Sequence, residues 1–183
     1  MALLREIIRE QVHYVQTSDA RLYYEVYGKG SPVVILHGGI MGSTYEMVQL
    51  IDSLSKSYRV IAMSAREHGK SEIGTAPLTY EQQAVDVQAV IRAVTQDSVI
   101  VPGFSAGAYA GYKLASMYPA TVRKLIAIGA AEMVPGPSSY QFTIQQVIRL
   151  DSLYWTQQLA LVPEPQRLSD LASSPRRGTW YSY

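Results

Sequence analysis

Four short strand-like runs, at residues 33–36, 59–63, 98–104 and 122–128, constrain this chain more than any other feature. They read as strands buried on both faces, because the first three lack the polar alternation of a half-exposed strand. Helix-like segments separate them. Residues 44–56 form one. Thr79 and Gln82 have the spacing of a capping box, and from there to about residue 96 Ala84, Val87, Val90, Ile91 and Val94 share one helical face. Residues 106–117 form a third, stopped near Pro119. Buried strand alternating with helix predicts an α/β fold, a mostly parallel sheet with helices on both faces. Ahead of it, residues 11–17 and 21–27 are β-rich and separated by Ser18, Asp19 and Ala20, which predicts an N-terminal β-hairpin.

After Ala131 the pattern changes. Pro135-Gly136-Pro137 breaks the chain, helix-like stretches follow at about 139–150 and 152–161, and periodicity fades beyond Pro163. The chain has no cysteine, so disulfides, thiolate zinc sites and a cysteine nucleophile are excluded. A net charge of +1 gives no case for a nucleic-acid partner. Nothing reads as a targeting signal or a membrane span. A cytoplasmic protein with no cofactor and no metal is the expectation.

The chemistry is concentrated at Gly103-Phe104-Ser105-Ala106-Gly107, which fits G-x-S-x-G. The pattern alone is weak, but the serine falls between a buried strand and a helix, where a nucleophile elbow requires it. Such a turn is sharp, so the positions two before and two after the serine must lack bulk, and both are glycine. The Ala106 N–H is expected to face the developing oxyanion, with the Gly39 N–H of His37-Gly38-Gly39 as the second donor. Gly111 is expected to let the following helix approach the sheet. His37 is expected to shape its loop and not to act as a base. His68-Gly69-Lys70-Ser71 ends like a phosphate-binding loop, yet position 64 is serine where the cradle needs glycine, and Gly74 and Pro77 stand where its helix would run.

Taken in order, Leu36-His37-Gly38-Gly39, the loop Arg66/His68-Gly69-Lys70-Ser71, Gly103–Gly107 and the strand 123–128 after Tyr118-Pro119 resemble the α/β-hydrolase fold superfamily of esterases, lipases and aminopeptidases. The resemblance covers about residues 10–165. It implies a serine hydrolase with Ser105 as nucleophile and a small-molecule ester or amide substrate. The family loop usually reads Asp-x-Arg-Gly-x-Gly-x-Ser; here Ser64 and Glu67 replace its first Asp and first Gly.

The family triad runs Ser, then acid, then His. All three histidines here, His13, His37 and His68, precede Ser105. Glu132, just past the fourth strand, is a possible triad acid. The resemblance implies that a complete fold continues with a lid and two more strands. The expected division is therefore a hydrolase core at 1–133, the start of a helical lid at 134–168 with a partly apolar lining, and an irregular tail at 169–183. A chain truncated in this way is expected to expose the edge of strand 122–128, to self-associate through it, and to be catalytically incomplete.

Overall fold

The computed structural model describes residues 11–39, 42–130, 153, 156–157 and 160–164. Strands β1 (Gln11–Gln16) and β2 (Arg21–Tyr27) form the expected hairpin. Its turn is closed by the Thr17 hydroxyl, which donates to the Ala20 carbonyl at 2.8 Å and accepts the Ala20 N–H at 3.1 Å. β3 (Pro32–Ile35), β4 (Arg59–Met63), β5 (Val99–Phe104) and β6 (Val122–Ile128) complete a six-stranded sheet in the order β1-β2-β4-β3-β5-β6. β2 meets β4 antiparallel, while β4, β3, β5 and β6 run parallel.

The helix read at 44–56 divides. A 3-10 turn, Thr44–Met47, is capped by the Ser43 hydroxyl, and α1 follows at Val48–Leu54. α2 (Tyr80–Val94) starts where the capping box placed it, with the Thr79 hydroxyl accepting the Gln82 N–H at 3.1 Å. α3 is Ala106–Met117. One face of the sheet packs Leu22, Val34, Ile61 and Val101 against Ala84, Val87 and Ile91 of α2 and Ala110 and Leu114 of α3. The other packs Val33, Ile35, Val60 and Ala62 against Ile51 of α1. On that face of β2, the Tyr23 and Tyr27 hydroxyls both donate to the buried Glu25 carboxylate, which answers part of the hydroxyl demand of fourteen tyrosines.

The connection from β3 leads to β4 on one side, whereas that from β5 leads to β6 on the other. The strand order therefore reverses between β3 and β5. In open α/β sheets ligands bind outside the carboxyl ends of strands at such a point. Gly39 and Ser105 follow those two strands.

Arg66, 1% exposed, ties the region together. Its guanidinium grips Asp86 of α2 through two bonds, Nε to Oδ2 at 2.5 Å and Nη2 to Oδ1 at 3.0 Å, and reaches Asp19 of the hairpin turn at 2.9 and 3.0 Å. Asp19 also accepts the Thr75 and Ala76 N–H groups. The Arg66 hydrogen bond, reinforced by those two amides against the opposing effect of burial, holds the Asp19 carboxyl well below the usual carboxylate range. A carboxyl whose folded value is depressed contributes stability above its unfolded value and loses it as pH falls toward the folded one. Thermal melting is therefore expected to be insensitive to this pair above about pH 5 and to weaken progressively below pH 4, with a shallower acid dependence in Asp19→Asn. An unchanged acid profile in that variant would count against it. Further along, Glu164 accepts the Ile73 N–H at 3.0 Å and Val162 is buried, so residues 160–164 return to this loop. Glu132, most of the proposed lid and the tail lie outside the described residues.

Candidate functional site

β3 and β5 are joined to their ends: the Leu36 N–H donates to the Pro102 carbonyl and the Phe104 N–H to the Leu36 carbonyl, both at 3.0 Å. Ser105 then turns the chain into α3 with φ 50° and ψ −116°, a combination that non-glycine residues adopt at a cost of about 1–3 kcal/mol. Three backbone bonds hold it there. Its N–H donates to the Ile128 carbonyl at 2.8 Å, and its carbonyl accepts from Ala108 at 2.9 Å and Tyr109 at 3.3 Å. The flanking glycines allow the turn. A β-carbon on Gly103 would lie 2.5 Å from the Gly107 carbonyl oxygen, and one on Gly107 would lie 2.5 Å from that of Leu36. Gly111 faces Leu125 of β6, as its place in the helix predicts.

Gly39 sits against the start of α3: a β-carbon there would be 2.7 Å from that of Ala106. Gly39, Ser105 and Ala106, expected together from sequence, are thus neighbours at the strand ends, and all three are half-buried. Among the described residues, neither the Gly39 nor the Ala106 N–H donates to another. Glu46, in the 3-10 turn, accepts the Gly38 N–H at 3.0 Å.

His37 is fully committed to the backbone. Its Nε2 accepts the Ala65 N–H at 2.9 Å, so its proton is on Nδ1, which donates to the Gly38 carbonyl at 2.6 Å. Burial, with the neighbouring His68 as a second cause, pushes its pKa down to about 3. The ring is neutral at neutral pH and has no free nitrogen. Its bond to Gly38 holds one end of the 38–39 peptide, whose other end is the Gly39 N–H; in a planar trans peptide that fixes where the N–H points. His68 lies beside it, ring centroids 5.0 Å apart. His13 stacks on Tyr24 in β1, at the far edge of the sheet.

A cleft of about 410 Å³, counting its open mouth, adjoins these groups. Gly39, Ala106, His37, His68, Gln83 and Asp86 are among its lining; Ser105 is not. The phosphate-loop reading finds no cradle. Ser71 bonds the Ser64 carbonyl and the Tyr23 N–H, and Lys70 lies over the Tyr23 ring. Glu67 has φ 62°, a left-handed conformation that explains why the family pattern has glycine there.

Residues 31–183 match the family described as the alpha/beta hydrolase fold. The chain belongs to that family. It is 32% identical over 121 residues to the AB hydrolase superfamily protein YisY of Bacillus subtilis, covering 65% of this chain and 45% of that protein. It is 34% identical over 125 residues to the proline iminopeptidase PfmaB of Pestalotiopsis fici, covering 66% and 44%. The crystal structure of E-2-(acetamidomethylene)succinate hydrolase superposes with a TM-score of 0.62 at 26% identity, over 67% of this chain and 46% of that one. This α/β-hydrolase chain thus spans about half the length of the relatives it matches. Those relatives carry hydrolase names, and among the described residues no helix is long and apolar enough to cross a membrane.

Proposed function

We propose that this chain carries the nucleophile and oxyanion pocket of a serine hydrolase acting on an ester, amide or related acyl bond of a partly apolar small molecule. The observation that carries the reading is the strained backbone of Ser105 at the strand-to-helix junction, next to two N–H groups that donate to no other described residue. Ser105 Oγ attacks the acyl carbon, and the oxyanion that forms is held by the Gly39 and Ala106 N–H groups at the positive end of α3. The fold hosts other chemistries, and the similar proteins carry the names of a proline iminopeptidase and of a soluble epoxide hydrolase alike; the serine at the elbow is what supports acyl transfer here.

The Ser105 proton needs an acceptor, and one observation favours a second reading for the chain by itself. His37 has no free ring nitrogen, both nitrogens of His68 face carbonyl oxygens, and His13 is at the opposite sheet edge. None supplies a base to Ser105. We therefore assign the chain alone a catalytically incomplete site, in which Glu132 remains only a candidate triad acid and no described histidine serves as the base. Removing the base of a triad leaves roughly 10³–10⁴-fold over water from the oxyanion hole and binding. Slow hydrolysis of p-nitrophenyl acetate is expected, lost in Ser105→Ala; an equal rate in that variant would remove Ser105 from the chemistry.

Self-association belongs to the same proposal. Among the described residues β6 is the sheet edge beside the site, and its Ile126 and Ile128 are each 45% exposed, next to the exposed Phe104. An apolar edge of this kind pairs with other chains. Sedimentation is expected to show oligomers that dissociate in Ile126→Lys, whereas a monodisperse wild-type monomer would refute the pairing.

A further inference from the structure

His68 has no role in the chemistry described so far, yet it makes the most demanding contacts near the site. Its Nε2 lies 2.6 Å from the Gly39 carbonyl oxygen and its Nδ1 lies 2.8 Å from that of Arg66. Carbonyl oxygens only accept hydrogen bonds. A neutral imidazole has one N–H and satisfies one of them; the imidazolium satisfies both. His68 is 8% exposed, so a carbonyl left facing an unprotonated nitrogen would have little water to turn to.

We propose that His68 is a positioning residue whose doubly protonated ring clamps the Gly39 peptide to the 64–71 loop and places a positive charge behind the oxyanion pocket. Its consequence rests on the serine-hydrolase reading, because the clamped residue is the one that offers the oxyanion its N–H. Two histidines then divide one task. Neutral His37 fixes the peptide before Gly39 through the Gly38 carbonyl, and cationic His68 fixes the peptide after it.

Among the described residues, titratable and charged groups approach His68 from the β3 loop, from α2 and from its own loop. From the β3 loop it meets His37, which is neutral. From α2 the cleft presents Gln83 and Asp86, and the Asp86 carboxylate is already gripped by Arg66. From α3 it presents Ala106, Gly107 and Ala110, none of which titrates. In its own loop the Arg66 guanidinium is turned to Asp86 and Asp19, Lys70 lies over Tyr23, and Glu67 is buried. A ring with a single N–H would leave either the Gly39 or the Arg66 carbonyl without its donor and loosen the clamp.

The experiment is NMR of the full chain with ¹⁵N-labelled histidine and backbone, where only three rings need assigning. At about pH 6 His68 is expected to show two slowly exchanging ring N–H signals. The Gly39 amide resonance is expected to move with the same midpoint when one of them is lost. A single ring proton on His68 at that pH, or a Gly39 amide that stays fixed while His68 titrates, overturns the clamp. A second arm follows covalent labelling of Ser105 by a fluorophosphonate in the presence of added imidazole. His68→Gln keeps a donor for the Gly39 carbonyl without the charge, and labelling is expected to slow about tenfold and lose the His68 contribution to its pH profile. An unchanged rate and profile in that variant overturns the electrostatic part. If Ser105 is not labelled in any variant, the serine-hydrolase reading fails, and the ring and amide signals still decide the clamp.

Discussion

Gly107→Ala is expected to destabilise the fold by about 3 kcal/mol or more and to displace the loop at residues 37–39. The new methyl would meet the carbonyl oxygens of Leu36 and His37 at 2.5 and 2.6 Å. The first belongs to backbone that is committed elsewhere: the Leu36 carbonyl accepts the Phe104 N–H that joins β3 to β5. Relief therefore requires moving α3 away from the sheet, and with it Ala106 from Gly39. Gly111→Ala is the control, since its methyl would meet only the end of the flexible Leu125 side chain, at 2.6 Å, and is expected to cost about 1 kcal/mol. Denaturant midpoints at constant m-value measure both. Equal costs for the two would show that α3 is free to shift.

Arg66→Met is expected to cost about 3–5 kcal/mol. The loss is not the attraction alone. Asp86, itself buried, would face the interior as an unpaired carboxylate, and Asp19 would lose the guanidinium that holds the hairpin turn against the 73–76 segment. Removing the charges together reverses most of this. The triple variant Arg66→Met, Asp19→Asn, Asp86→Leu is expected to recover the greater part of the stability, because buried ion clusters seldom outperform apolar residues of similar volume. A triple variant as unstable as the single one would mean that the network supplies net stability and not only geometry.

The sheet, its hairpin and the helix starts were legible in the sequence because short-range physics decides them. The Thr79 cap fixes α2, and the apolar runs fix β3, β4 and β5. The split at 44–56 was not legible, since the Ser43 cap serves a 3-10 turn as readily as an α-helix. At the site, Gly103, Gly107 and Gly39 were readable as positions where a side chain would strike a neighbour. The roles of Arg66, Glu46 and His68 were not. Arg66 and Asp86 stand 20 residues apart, and the partners of His68 are backbone carbonyls, which carry no residue signature. The replacement of the loop glycine by Glu67 was visible, but only the left-handed φ shows what it costs.

We propose Ser105 as a nucleophile at an elbow whose activating base these residues do not supply. The most direct measurement is the rate of fluorophosphonate attachment to Ser105, located by mass spectrometry, with and without added imidazole. Slow attachment is expected at Ser105, with a rate that rises with imidazole as the free base takes the hydroxyl proton, and no attachment at that position in Ser105→Ala. Rapid attachment with no dependence on imidazole would contradict the missing base, and no attachment at any imidazole concentration would contradict the elbow.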